Sequence, residues 1–465
     1  MRHLDIDKMT NVDKATRDDL GAVKELNALL RLGIDNFYWD SDDYIISALK
    51  EERCYVVKDN GEVKGSLIIE RRSPDGEYNQ DSLAIGIVTV ISEYQKKGFG
   101  TNLIEAAKVF AFREKKRLYV ESFYEYEKLD YYKKLGFKED DPKEYGGRPY
   151  HVLFLDPENI PEFPDMKQID IGDRLQYLSC LEKMPVVPSD VTFENLFVYD
   201  AAGRQISLST MNNNVIIRTR SEKEVSLYPP VGNNRLDETI LDCLDWLKTE
   251  SEEAGFTCVP YHQVEVLKQE TKKKLNIVKD RNSFDYLYGM ASYGTFNMPS
   301  LRTLRQNLTH FLDKNPEYKD LTYGMIDEVS DFQQYWMKDY TERMQKANKP
   351  VTDFIAKENE AITKALSLCK TLGLKIGAIY LDGVIEGFTI ASIHKKTAYI
   401  HFEKASRKRG AYQALIHLFS QSALENIDTV NKEQDLGIPG LRTSKKRYDP
   451  SGYIEKCCIT MKAVD

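Results

Sequence analysis

Between residues 95 and 100 the chain reads Gln-Lys-Lys-Gly-Phe-Gly, after the β-branched run Leu83-Ala-Ile-Gly-Ile-Val-Thr-Val-Ile91 and before a helical pattern. A strand, a glycine turn and a helix in that order present successive backbone N–H groups at the positive end of a helix dipole. Such an end stabilises a phosphate or pyrophosphate. Gly98 and Gly100 let the backbone approach that group closely. A second segment repeats the order: a strand from Thr397 to Phe402, the basic turn Arg407-Lys-Arg-Gly410, and a helix carrying Tyr412 where Gly100 stood. A ring at that place crowds a pyrophosphate, so this copy is expected to keep the fold and change the donor. Beyond it, residues 431–450 pack charges among turn residues. Glu433, Asp435 and Arg442 are able to position an amine, and Arg407, Lys408, Arg409, Lys445, Lys446 and Arg447 to contact phosphates. The structural alternatives are Asp435 capping a turn, Arg442 pairing with a carboxylate, solvated basic triplets, and Tyr448 packing instead of closing a pocket. His394, His401 and His417 show no metal-ligand spacing and read as ordinary surface or core residues, so no metal is expected.

The elements that must hold these groups are legible from periodicity. Leu83 to Ile91 is apolar on both faces, as the middle strand of a covered sheet must be. In the helix that follows, Leu103, Ala107, Phe110 and Ala111 share one side at 3.6-residue spacing, and Glu105, Lys108 and Glu114 are expected to face water. Two hairpins repeat one design, Cys54 to Ile69 and Ala378 to Ala391. Each reads Gly-x-(Val/Ile)-x-Gly, with Gly61, Val63 and Gly65 in one and Gly383, Ile385 and Gly387 in the other. Their Asn-Gly and Asp-Gly turns match the twist of paired strands because glycine accepts positive φ. Between the two copies, Val215 to Arg220 reads as a strand. Leu236 to Glu253 reads as a helix with Ile240, Leu244 and Leu247 on one stripe, and this middle part carries no glycine cradle. Leu301 to Asp313 reads as a connecting helix.

The chain has 465 residues, and three prolines in the nine residues from Asp156 to Pro164 mark a linker. We therefore expect domains at 1–156, 167–296 and 297–465, with 157–166 as linker. Lys+Arg 65 against Asp+Glu 73 leaves −8, which argues against whole-surface nucleic-acid binding while leaving room for local basic sites. Seven scattered cysteines without a C-x-x-C pair read as reduced thiols. No apolar run is long enough for a membrane span, and Met1 to Met9 lacks a signal-peptide core, so a cytoplasmic location is expected.

Gln95-x-x-Gly98-x-Gly100 resembles the Q/R-x-x-G-x-G/A loop of the GCN5-related N-acetyltransferases (GNAT), and Tyr131-Tyr-Lys-Lys-Leu-Gly-Phe137 resembles that family's F-Y-x-K-x-G-F segment. The resemblance spans residues 20 to 155. It implies an α/β (α+β) sheet flanked by helices, and acetyl-CoA as co-substrate. Gln95, Lys96, Lys97, Gly98, Phe99, Gly100 and Thr101 would lie at the pyrophosphate, with Val88 and Val90 along the pantetheine arm. By position Tyr132 is the acid that protonates the departing thiolate, although Tyr131 and Tyr132 are able to share or swap roles. Glu70, Glu93 and Glu121 remain alternative general bases, beside ordered water. Glu125 stands where the family has Asn.

Residues 165 to 465 are similar to the phosphatidylglycerol lysyltransferase C-terminal family, two GNAT-like halves related to the Fem-type aminoacyl transferases. The likeness rests on Asn431-Lys-Glu-Gln-Asp-Leu-Gly-Ile-Pro-Gly-Leu-Arg442, Ser189 to Phe197, Tyr228-Pro-Pro-Val-Gly232 and Phe284 to Tyr288. It implies three GNAT-like units in one chain, and an aminoacyl-tRNA as partner of the C-terminal tandem. The membrane-spanning part of lipid-modifying members is not in this sequence. The leading expectation is an acyltransferase whose N-terminal domain acetylates a small-molecule or peptide amine. The alternatives are an aminoacyl transferase with an accessory acetyltransferase domain, and a protein that senses acetyl-CoA without turning it over.

Overall fold

The computed structural model describes residues 12–31, 37–74, 76, 81–220, 225–250, 254–321, 326–348 and 353–462. The first nine residues, on which the signal-peptide reading rests, lie outside them. The chain forms three mixed sheets flanked by helices, held in two compact units. Unit 1 comprises residues 1–159 and 170–179, and unit 2 comprises 160–169 and 180–465.

In unit 1 the hairpin β1 (Cys54–Asp59) and β2 (Glu62–Glu70) continues into β3 (Ser82–Val90), then α1 (Phe99–Glu114), β4 (Arg117–Phe123), α2 (Leu129–Lys134) and β5 (Arg148–Leu155). The sheet runs β1-β2-β3-β4-β5, with short flanking strands at both edges. Among the described residues of this sheet only β3 and β4 pair in parallel, joined by the α1 crossover that a parallel pair requires. That pairing covers Ser82–Arg117, Leu83–Leu118 and Ala84–Tyr119, although β3 runs on to Val90 and β4 to Phe123. The two strands therefore part as a fork. The core lies beneath α1, where Leu103, Ile104, Ala107 and Ala111 pack on Leu67, Ile69, Leu83, Leu118 and Val120.

Glu105 and Lys108 do not face water as the helical pattern suggests. Both are buried, and Lys108 Nζ donates to Glu105 Oε1 at 2.7 Å and to the Leu135 carbonyl at 2.9 Å. The pair ties the segment after α2 to α1, a long-range contact that periodicity within one helix cannot reveal.

Unit 2 contains two sheets. The first takes strands from Lys167–Gln168 to Leu275–Lys279 and is completed by Lys456–Met461, inserted between Phe256–Pro260 and Leu275–Lys279. The helix Leu236–Leu247 packs on it through Ile240, Leu244 and Leu247. The second sheet contains β6 (Asp285–Gly289), β7 (Lys375–Leu381), β8 (Val384–His394), β9 (Thr397–Ala405) and β10 (Thr429–Asn431). The helix α3 (Arg302–Leu312) precedes β7, α4 (Ala411–Ala423) links β9 to β10, and α5 (Pro439–Arg447) follows.

The β7–β9 portion repeats the pairing register of β1–β3. A bulge falls between Val57–Gly65 and Lys58–Val63 in one copy, and between Ile379–Gly387 and Tyr380–Ile385 in the other. A second bulge leaves Gly86 extra on β3 and His401 extra on β9. Gly65 and Gly387 are small for the same reason: a Cβ would stand 2.9 Å from the Thr89 carbonyl oxygen or 2.7 Å from that of Lys404. The β9–β10 pairing again covers three pairs and ends at Tyr399–Asn431.

Candidate functional site

The first candidate site lies where β3 gives way to α1. Gly98 is the N-cap of α1 with φ +95° and ψ −7°, a left-handed conformation in which a side chain is strained. Its carbonyl accepts the N–H of Asn102 at 3.0 Å, so the amides of Phe99, Gly100 and Thr101 belong to the first turn, whose N–H groups have no acceptor inside the helix. Gln95 Nε2 donates to the Val90 carbonyl at 3.1 Å and closes the loop onto the strand end. Lys96 and Lys97 are exposed on its rim. Tyr94 buttresses the loop: its hydroxyl donates to Asp59 Oδ2 at 2.6 Å and its ring meets Phe99 edge-on. Val88 and Val90 are half-buried against the same core.

The two tyrosines of α2 diverge. Tyr132 is buried among Leu135, Phe137 and the α1 core, and burial pushes its hydroxyl well above the usual range. Tyr131 reaches the loop. Its hydroxyl is 3.5 Å from Thr101 Oγ1 and would lie 3.4 Å from a Cβ at Gly100, and burial pushes it up to about 12.

The fork between β3 and β4 collects two of the three candidate bases. Arg72 bridges the Glu70 and Glu121 carboxylates, whereas Glu93 sits exposed in the turn after β3. Glu70 also accepts from Trp39 Nε1 at 3.0 Å and from the Tyr44 hydroxyl at 2.6 Å. Its carboxylate overlies Gly86, where a Cβ would come within 2.5 Å. Burial raises the Glu121 carboxyl above its ordinary value even though Arg72 pulls the other way. Glu125 is at the surface and pairs with Arg148.

The second glycine turn has the same backbone and different surroundings. Gly410 caps α4 with φ +89° and ψ −5°. A Cβ there would lie 2.0 Å from the Asn307 carbonyl oxygen and 2.9 Å from Phe311 Cβ, so α3 rests directly on the turn. Arg409 Nε donates to Asn307 Oδ1 at 2.9 Å, Lys408 pairs with buried Glu386, and Arg407 is exposed. Tyr412 packs against the core of this half. In place of a phosphate cradle, this turn holds a helix of its own chain.

The residues from 431 to 448 form a polar network. Asp435 is fully buried and accepts from Arg442 Nε at 2.9 Å, Arg442 Nη2 at 2.8 Å, the Tyr286 hydroxyl at 2.6 Å and the Gly437 amide at 2.9 Å. Burial alone would raise its carboxyl, but these donors hold it well below the usual carboxylate range. Lys445 is half-buried, donates to the Lys432 carbonyl, and is lowered to about 8 by burial. The Tyr448 hydroxyl accepts from Gln413 Nε2 at 2.8 Å. Glu433 stands apart from Asp435, with His401 and Asn195 as its partners. Lys456, at 0% exposure, joins the two sheets of unit 2 by pairing with Asp190 and with Asp285 Oδ1 at 2.6 Å. Those carboxylates hold its ammonium above the ordinary value despite burial.

The partners of His401 and the role of Lys456 were not anticipated from sequence. One signal was available: His401 occupies the bulge position aligned with Gly86, which the repeat of the two hairpins exposes once register is assigned. Among the described residues, no cluster of three or more His, Cys, Asp or Glu side chains is placed to hold a metal ion, and no helix is long and apolar enough to cross a membrane.

Comparison with known proteins agrees with this division. The family model for an acetyltransferase (GNAT) domain matches residues 50–139. The model for the C-terminal part of phosphatidylglycerol lysyltransferase matches residues 188–460. A conserved protein of unknown function from Bacteroides thetaiotaomicron VPI-5482 is similar at 24% identity, covering 64% of this chain and 99% of that one, with a TM-score of 0.58. L-PGS from Bacillus licheniformis matches at 14% identity over 66% of this chain and 95% of that one, with a TM-score of 0.44. An N-acetyltransferase from Staphylococcus aureus Mu50 matches at 16% identity over 31% of this chain and 99% of that one, with a TM-score of 0.25. No curated protein matches the chain. With well over half of its residues matched by one model, the chain belongs to the phosphatidylglycerol lysyltransferase C-terminal family of acyl and aminoacyl transferases, and it carries a GNAT domain ahead of that region.

Proposed function

We propose that unit 1 transfers an acetyl group from acetyl-CoA to the amine of a small molecule or peptide, and that the C-terminal tandem takes its acyl group from an aminoacyl-tRNA. The observation that carries the first half is Gly98 in left-handed conformation at the N-cap of a 16-residue helix following β3. The residues fit the co-substrate: amides of the first turn of α1 for a pyrophosphate, Lys96 and Lys97 on the rim, and Val88 and Val90 along the strand. When bound, acetyl-CoA supplies an activated thioester. The protein's part is to orient the amine and move protons. Glu121, raised by burial, is the carboxylate better suited than an ordinary glutamate to take a proton from an ammonium, with Arg72 and Glu70 fixing it. Tyr132 is the acid by family position, and Tyr131 is the hydroxyl that reaches the loop.

Thermal melting tests this reading. Acetyl-CoA should raise Tm, and Gly98→Trp should abolish the rise while the variant stays folded. No shift with millimolar acetyl-CoA would sink the reading. The tRNA half is supported by the family match over 188–460. It predicts salt-sensitive tRNA binding that weakens when Arg407 and Arg409 are replaced by Ala. That same match favours a second reading, in which aminoacyl transfer is the main reaction and unit 1 is accessory. Turnover of an aminoacyl donor without turnover of acetyl-CoA would establish it.

A further inference from the structure

The fork in unit 2 holds three side chains that the reading above leaves unused. Ser392 lies near the end of β8, His401 is the bulge residue of β9, and Glu433 follows β10 by two residues. Ser392 Oγ is 2.8 Å from His401 Nε2, and His401 Nδ1 is 2.9 Å from Glu433 Oε1. With Nδ1 protonated toward the carboxylate, Nε2 is left to accept from the hydroxyl. A core histidine that merely fills space needs no such alignment. Here both ring nitrogens are engaged, on opposite sides, by a hydroxyl and a carboxylate.

The three groups are held from outside. Glu433 has φ +58°, a left-handed backbone that a non-glycine residue adopts at a cost, and its N–H donates to Asn431 Oδ1 at 2.8 Å. Asn195 Nδ2 donates to the same Glu433 oxygen at 3.1 Å. Ser392 is 3% exposed and His401 8%, so bulk water does not compete for these bonds. The β9–β10 ladder ends at Tyr399–Asn431, two residues before His401 and Glu433, so their bond spans the opening of the fork. Arg204 lies alongside, with Nη1 donating to Asn195 Oδ1 at 3.3 Å and the guanidinium over the Tyr199 ring. Among the described residues no carboxylate lies within ion-pair distance of Arg204, although Asp190 and Glu433 act on its charge from farther away.

We propose that Ser392, His401 and Glu433 form a nucleophilic relay, with the Ser392 hydroxyl accepting an acyl group from an ester donor before it passes to the acceptor. In the first half, the Oγ–acyl bond forms as the donor's ester C–O bond breaks. The serine proton moves to His401 Nε2 and then to the departing alcohol oxygen. In the second half, the acceptor's N–acyl bond forms as the Oγ–acyl bond breaks, and the acceptor's proton returns through Nε2 to Oγ. Nothing is oxidised or reduced. The identity of the donor rests on the acyl-transfer reading of this half; the reactivity of the serine does not.

A fluorophosphonate, which brings its own leaving group, tests the relay on the full chain without any donor. Intact mass should show one adduct, mapped to Ser392 and absent in Ser392→Ala. His401→Ala should slow labelling by roughly 10²-fold or more, and Glu433→Gln by about tenfold, with melting curves confirming folded protein. Should His401→Ala unfold, Ser392→Cys provides the second route: iodoacetamide should alkylate position 392 ahead of Cys54, Cys180, Cys243 and Cys457, the thiols buried as deeply. No adduct, an adduct elsewhere, or labelling and alkylation indifferent to their predicted pattern would overturn the proposal. Because acetyl-CoA and tRNA are absent from the assay, such a failure leaves the reading of either unit's donor separately testable.

Discussion

The two forks of this chain share a backbone and differ in what fills it. In unit 1, the fifth residue after Gly65 is Glu70, the bulge residue is Gly86, and two residues past the last β3–β4 pair stands Glu121. In unit 2, the same three places hold Ser392, His401 and Glu433. Where unit 1 uses glycine to let Glu70 lie across the strand and an arginine to join two carboxylates, unit 2 uses imidazole to join a hydroxyl to a carboxylate. The glycine turns contrast as sharply, because the helix after Gly98 meets Tyr94 and Tyr131 in its first turn whereas Gly410 lies under α3. Duplicated geometry therefore does not imply duplicated chemistry.

The contrast breaks most visibly if a methyl group is placed at each left-handed glycine. At Gly410 the methyl meets the Asn307 carbonyl at 2.0 Å as well as the strain of positive φ. Gly410→Ala should cost roughly 3 kcal/mol or more, read as a lower urea midpoint at unchanged slope. Gly98→Ala carries the backbone strain, about 1 kcal/mol, and should chiefly weaken acetyl-CoA binding. Equal destabilisation at the two sites would refute the idea that α3 has taken over the second cradle.

Of comparable size is the loss of Asp435, which aligns with Phe123 once Glu433 is set against Glu121 and so has no carboxylate counterpart in unit 1. Asp435→Asn leaves Arg442 and Arg281 without their carboxylate and should destabilise unit 2 by roughly 3 kcal/mol. The pH dependence follows in sign. A carboxyl depressed on folding contributes stability above its unfolded pKa near 3.9, and that contribution is lost as pH falls toward the lower folded value. The wild type should therefore lose stability below about pH 4 more steeply than Asp435→Asn does.

These sites were unevenly legible. The left-handed glycines, the hairpin turns and the covered middle strand are local demands, and local sequence states them. The bond from Lys108 to the Leu135 carbonyl, the seating of α3 on Gly410 and the Lys456 bridge depend on partners 27 or more residues away, and helical periodicity says nothing about them. His401 was hidden for a different reason. A histidine at a bulge looks ordinary until the ladder register shows which strand residues it separates. Asp435 and Arg442 illustrate the intermediate case, where spacing brought the pair to notice but left open whether it bound a ligand or each other. Their bidentate contact favours each other.

The α2 tyrosines sharpen the comparison within unit 1 at the level of rate. If the hydroxyl beside Thr101 protonates the leaving thiolate, Tyr131→Phe should lower kcat by about 10²-fold with little change in Tm. Tyr132→Phe should then leave kcat within a few-fold. The reverse pattern would return the role to Tyr132, the family position, and mean that its buried hydroxyl becomes accessible when substrates bind.

The smallest expected effect is on the pH profile, and it asks whether the carboxylate pair in the first fork does chemistry or only holds the strands. Burial raises Glu121, so a rate that needs its ionised form should fall on acidification with a midpoint above that of an ordinary glutamate. Arg72 opposes the rise, and removing it should carry the midpoint further up. Arg72→Met therefore predicts an acid limb displaced to higher pH, together with some loss of stability from the two carboxylates left facing each other. Gly86→Ala acts on the same pair from the other side by displacing the Glu70 carboxylate, and should change the profile without touching Glu121 itself. A limb that stays put in Arg72→Met while Tm falls would make the Glu70–Arg72–Glu121 bridge a strut. The first fork would then rely on ordered water as its base, and the hydroxyl–imidazole–carboxylate chain of the second would be the clearer proton path of the two.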